Sequence, residues 1–196
     1  MDGFLSKQWV KIGCFSAFFA LLGCDPQPLP KSSMIGSSPP LYYGGPYQEQ
    51  PTSQQLNLIR DLGTNGVQVI QVGQTINLII PSDLLFASDS ANFKPVAQPL
   101  LQEIAGYIQT YDMSVVQVSA YSDNQGVDVY KRALNSRQAR VVADTLNEVG
   151  METRLLYTVG RAGENPLASN ERAGGRSINR RIEITFRYHP VRRNFD

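Results

Sequence analysis

Val118-Ser119-Ala120-Tyr121-Ser122-Asp123-Asn124-Gln125-Gly126 is the stretch on which the reading of this chain turns. It leaves an apolar run marked by Val115, Val116 and Val118, which reads as a buried strand, and breaks on Asn124-Gln125-Gly126, a turn signal. From about Asp128 to Val149, Leu134, Ala139, Val142 and Leu146 recur at helical spacing, and Gly150 stops the pattern. A strand, an acid-bearing turn and a long helix therefore follow one another, with Asp123 at the junction.

Working upstream, Val96, Leu100, Leu101, Ile104, Ile108 and Tyr111 predict a second helix before Met113. Pro95 suits its first turn, whereas Pro99 lacks a backbone donor, so its regular part is expected from near Gln98. Val67 to Val72 and Thr75 to Ile80 flank Gly73-Gln74 as a tight hairpin, and a short helix is expected over Ser53 to Leu62. Downstream, Thr153 to Val159 and Ile182 to Tyr188 complete the strands. A long Gly-rich loop from Gly160 to Gly175 separates them; Gly174-Gly175-Arg176 follows no strand, so it reads as a turn rather than a phosphate loop. The alternation of strand and helix predicts an α+β fold, a mixed sheet with helices packed on one face.

The opening stretch, with Tyr130 and the helix after it, resembles the core motif of OmpA-like peptidoglycan-associated domains. Asn165-Pro166-Leu167-Ala168-Ser169-Asn170, Gly175-Arg176 and Asn179-Arg180-Arg181-Ile182-Glu183-Ile184 match that family in order and spacing. Leu84-Leu85-Phe86 with Ser90-Ala91 and Lys94 resembles its first strand-to-helix passage. The likeness covers about 120 residues.

The resemblance implies a site for the diaminopimelate of the peptidoglycan stem peptide, a zwitterion that needs an anion for its ammonium and a cation for its carboxylate. Asp123 matches the family's Asp. The family's Arg, fifteen residues on, is Gln138 here, which keeps a donor but loses the charge and the bidentate fork; the expected cost is about tenfold to a hundredfold in affinity. Gly-His-Thr before the Asp has become Ala120-Tyr121-Ser122, and the family's Asn after Tyr130 is Lys131. Lys131 shares a helix face with Gln138, about 10 Å away along the axis, and offers a cation at the pocket mouth. Arg137 is rotated about 100° from Gln138 round the helix. Asn179, Arg180 and Arg181 keep the family's places. Each reading has an alternative: Asp123 as the cap of its own turn, Arg180 and Arg181 as anchors of the Gly-rich loop through backbone carbonyls, and Gln138 as a satisfied half-buried amide.

The N-terminus reads as an address. Lys7 and Lys11 precede an apolar run from Ile12 to Leu22, too short for the about 20 residues of a membrane span but suited to a signal-peptide core. Leu21-Leu22-Gly23-Cys24 resembles a bacterial lipobox, so residues 1–23 are expected to be removed and Cys24 to carry acyl lipid such as palmitate. Cys14 leaves with the peptide, and no disulfide remains possible. Residues 24–55 form a disordered Pro-rich tether, holding seven of the twelve prolines and spanning roughly 30 Å as a coil or up to about 95 Å extended. Within it, Leu41 to Tyr47 carries three Tyr, either a docking motif or a sticky linker. The folded domain is assigned to 56–196. An outer-membrane anchor with the domain facing the periplasm is expected, although Asp25 resembles an inner-membrane retention signal.

Composition narrows the function. The 196 residues carry a formal net charge of +1, no basis for phosphate-backbone binding, so no nucleic-acid partner is expected. The total conceals an acidic stretch, 24–129, with 3 basic and 9 acidic residues, and a basic one, 130–196, with 13 and 7. One His and two Cys exclude a zinc cluster, and His189 alone supplies no Ser/His/Asp or Cys/His arrangement. No enzyme and no cofactor beyond the lipid on Cys24 are expected. Two functions remain: a module that moors a lipoprotein or its complex to the peptidoglycan stem peptide, or a scaffold subunit that has kept the fold and lost strong binding. The small lipoprotein with a Pro-rich tether is also similar to outer-membrane components of Dot/Icm type IVB secretion systems, whose other subunits would then be partners.

Overall fold

A computed structural model describes residues 50–189. Cys24, the expected signal peptide, nearly all of the expected tether with its Tyr-bearing stretch, and residues 190–196 lie outside the described residues. The first helix, α1 (Ser53–Thr64), starts at the expected Ser53, set by a capping box, so the last three residues assigned to the tether, 53–55, are helical. The Thr52 hydroxyl accepts from the Gln55 amide at 3.2 Å while the Gln55 side chain accepts from the Thr52 amide at 2.8 Å.

β1 (Gln68–Val72) and β2 (Thr75–Pro81) form the expected antiparallel hairpin. Gly73 takes a φ of +60°, at the loop position that a II′ turn reserves for glycine. A single helical turn, α2 (Ser82–Leu85), follows, too short to leave a period in the sequence. α3 (Ala97–Ile108) begins one residue before the expected start. Pro99 sits at its third position, where the backbone N–H has no intrahelical partner in any case. β3 (Met113–Tyr121) and α4 (Asp128–Glu148) bracket the turn at Asp123, and Gly150 ends α4 with a φ of +98°.

Two expectations are corrected. β4 is Leu156–Ala162, not Thr153 to Val159: residues 153–155 make a 3-10 turn, and the strand runs on through Gly160. Gly160 fits because β4 presses on α4; a Cβ there would lie 2.4 Å from Ser136 Oγ and 2.7 Å from the Arg132 carbonyl. Gly174-Gly175-Arg176 is not a turn but part of a helix, α5 (Ala173–Asn179). Two glycines, each about 1 kcal/mol worse than alanine in a helix, hide it from pattern reading. A Cβ on Gly175 would meet the Ser169 carbonyl at 1.9 Å, so the preceding loop can fold back on α5 only over glycine.

β5 (Arg181–Tyr188) enters the middle of the five-stranded sheet, giving the order β1-β2-β5-β3-β4. Only β3 and β4 are parallel, joined by α4 as the crossover helix. Ile76, Leu78 and Ile80, Val116, Val118 and Ala120, and Ile182, Ile184 and Phe186 alternate onto one face and are buried. Against them pack Leu101, Ile104 and Ile108 of α3 and Ala139, Val142 and Leu146 of α4. The opposite face carries Asn77, Thr185 and Gln117 in one cross-strand row. The fold is the expected α+β sheet, and its strand ends at Pro81, Tyr121 and Arg181 meet at one rim.

Candidate functional site

At that rim a cavity of about 570 Å³ opens between the end of β3, the start of α4, the loop before α3, and the α5–β5 junction. Asp123 is delivered by β3 and is buried, with 7% exposure. Its Oδ1 accepts from the Gln125 amide at 2.9 Å, which is the turn cap, and its Oδ2 accepts from Arg180 Nη1 at 2.8 Å. One carboxylate therefore both holds its own turn and faces a cation.

Arg180, at the head of β5, is shared between two carboxylates. Its Nη2 donates to Asp83 Oδ2 at 2.6 Å and its Nε to Asp83 Oδ1 at 3.3 Å. The Asp83 hydrogen bonds, followed by those of Asp123, push the guanidinium above its already high range against the opposing effect of burial. Two carboxylates on one guanidinium leave the triad with a net charge of −1. Lys94, Lys131 and Arg176 line the same cavity around it.

Lys131 lines the same cavity, but its ammonium is engaged, donating to the Asp123 carbonyl at 3.2 Å and pairing with Asp128 at 2.8 Å. That pairing holds the Asp128 carboxyl below its usual range. Gln138 also reaches the wall, with both ends of its amide committed. Its Nε2 donates to the Ser90 carbonyl at 2.8 Å and its Oε1 accepts from Asn135 Nδ2 at 3.2 Å, while Asn135 accepts in turn from Ser122 Oγ at 3.0 Å. Where the resemblance implies a charged partner for a ligand, the chain has a neutral staple between α4 and the loop before α3.

Arg137 and Asn179 are not brought into the cavity. Arg137 is exposed on α4, one residue round the helix from Gln138. Asn179 is fully buried under the loop before α5: its Oδ1 accepts from the Leu167 and Ala168 amides and its Nδ2 donates to the Ala168 carbonyl and Asn170 Oδ1. The two arginines divide the alternatives between them. Arg181, not Arg180, anchors the loop through backbone carbonyls, donating to Asn165 O at 3.0 Å and Asn179 O at 3.3 Å. It also pairs with Glu183 at 2.7 Å and stacks 3.8 Å over the Tyr121 ring. Burial, then Glu183, raises the Tyr121 phenol, with Arg181 and Arg161 pulling the other way.

Sequence reasoning missed Asp83 as a site residue, and Lys94 and Arg176 as cations of the wall. Lys94 and Arg176 stood in matching motif blocks; Asp83 lay on α2, which has no period to reveal it.

With this geometry in view, comparison with known proteins is specific. Over 155 residues the chain is 32% identical to the probable lipoprotein YiaD of Escherichia coli, covering 79% of this chain and 71% of that protein. The chain belongs to the OmpA family. Residues 85–180 are those matched to the OmpA family as such. The chain is also 32% identical over 109 residues to the peptidoglycan-binding protein ArfA of Mycobacterium tuberculosis, covering 56% of this chain but only 33% of that protein. Among solved structures, the cell wall anchor of the type VI secretion system from Pseudomonas aeruginosa superposes with a TM-score of 0.62 at 31% identity, over 70% of this chain and 96% of that one. The OmpA-family fold is thus shared across nearly the whole of that anchor. Among the described residues, no helix is long and apolar enough to cross a membrane.

Proposed function

We propose that this chain is a lipid-anchored protein of the bacterial envelope whose OmpA-family domain binds the diaminopimelate of the peptidoglycan stem peptide at the rim cavity. The observation that carries this reading is Asp123, buried at the cavity and sharing Arg180 with Asp83. The triad's surplus negative charge suits the ligand's ammonium. Its likeness to a peptidoglycan-binding protein and to a cell wall anchor supports it. The lipid on Cys24 and the reach of the tether would place the domain at the cell wall, from the outer membrane. The finer assignment is a structural component of a Dot/Icm type IVB secretion system, similar to DotK (IcmN), mooring its core complex; architecture supports it.

The scaffold reading is favoured by one observation, the commitment of Gln138 to Ser90 and Asn135. The two readings separate in a sedimentation assay of the full-length chain with purified sacculi. Co-pelleting that falls at least tenfold in Asp123→Asn is expected for the mooring function. Absence of co-pelleting at low and physiological salt would leave the scaffold.

A further inference from the structure

The cavity has four cations on its walls, and their charges are not equally spent. Arg180 is shared by Asp83 and Asp123, and Lys131 is paired with Asp128. Lys94 and Arg176 have no carboxylate partner among the described residues. Arg176 Nη1 is turned to the Asn170 and Glu171 carbonyls, at 3.0 and 3.2 Å, which points that end of it into the loop before α5. Lys94 donates to the Asp83 carbonyl and keeps two further N–H donors. Asp83 is thus shared, its carbonyl holding Lys94 and its carboxylate holding Arg180. A charge-unpaired ammonium thus sits directly against one member of the acidic triad. Lys94 also lies on the loop that Gln138 ties down through Ser90, so the residue standing where the family's Arg is expected now positions the segment that carries this ammonium.

We propose that Lys94 is the cation that reads the ligand's carboxylate in this chain, replacing across the cavity the charge lost at Gln138. The inference rests on the diaminopimelate reading above and deepens it: the ammonium of the zwitterion goes to the Asp83–Asp123 pair and its carboxylate to Lys94. A ligand with the ammonium but without that carboxylate gains nothing from Lys94.

The test titrates the full-length chain in detergent with two synthetic tripeptides, one ending in meso-diaminopimelate and one in L-lysine, which lacks the side-chain carboxylate. Lys94→Gln is expected to weaken the diaminopimelate peptide about tenfold and leave the lysine peptide unchanged, as removal of one charge-assisted hydrogen bond requires. Lys94→Arg is expected to keep the difference between peptides, and Gln138→Arg to restore it in Lys94→Gln. Equal losses on both peptides would make Lys94 a structural residue and overturn the assignment. So would an unchanged Lys94→Gln, or a loss confined to Arg176→Gln. If the unsubstituted chain binds neither peptide nor sacculi, the diaminopimelate reading falls, and this assignment with it.

Discussion

The Asn179 amide makes four hydrogen bonds to the loop between β4 and α5, two of them accepted from the Leu167 and Ala168 amides. Asn179→Ala empties a fully buried site and leaves the Leu167 and Ala168 amides and the Asn170 side chain without this partner. A loss of about 2–3 kcal/mol in urea unfolding is expected, with the cavity residues untouched. An unchanged midpoint would show that the loop finds other partners. The residue scale is also where reading the sequence alone divides most sharply. Asp123 was legible through the family resemblance, with the cap of its own turn as the alternative; it caps Gln125 and also pairs with Arg180. Asn179, from the same Asn-Arg-Arg block, looked equally fit for a ligand. Only the positions of the Leu167 and Ala168 amides, set by a loop with no period, turn it away from the cavity. Gln138 shows the same limit: its identity tells of a lost charge, whereas its bond to Ser90 depends on a loop 48 positions away in sequence.

Among elements, α4 and the β1–β2 hairpin were legible because each repeats one physical rule many times, the buried stripe in one and alternation around a glycine turn in the other. α2 has a single turn and α5 two glycines, so neither builds up a pattern; their helicity comes from what they touch. Glycine misled the reading of β4 as well. Gly160 looked like the start of a loop, yet it lies in β4 where the crossover helix leaves no room for a Cβ. Gly160→Ala therefore overpacks the β4–α4 contact, where Ser136 N lies 2.5 Å from the new Cβ and backbone cannot rotate away. A loss of about 1–3 kcal/mol, read as a lower thermal midpoint, is expected. If β4 and α4 can part without cost, the midpoint will not move.

For the molecule as a whole, stability should narrow at both ends of the pH scale. Asp128 and Glu164 are held below their usual range by Lys131 and Arg132. A depressed carboxylate stabilises the fold above its unfolded pKa of about 4, and that stabilisation disappears as pH falls through the lower folded value. Tyr121 acts at the other limit: its phenol is raised, so its contribution is whole below about pH 10 and is lost as pH climbs through the folded value. Unfolding midpoints followed from pH 3 to 11 are expected to show a plateau with two falling limbs, the alkaline one shallower in Tyr121→Phe. The topology has a consequence of another kind. β5 is the last strand in sequence and the central one in the sheet, with Arg180 immediately before it. Without that strand the sheet is in two pieces, the β1–β2 hairpin and the β3–β4 pair. Asp83 and Asp123 belong to different pieces and meet the same guanidinium, so the Asp83–Arg180–Asp123 triad is complete only once the last strand has joined the sheet.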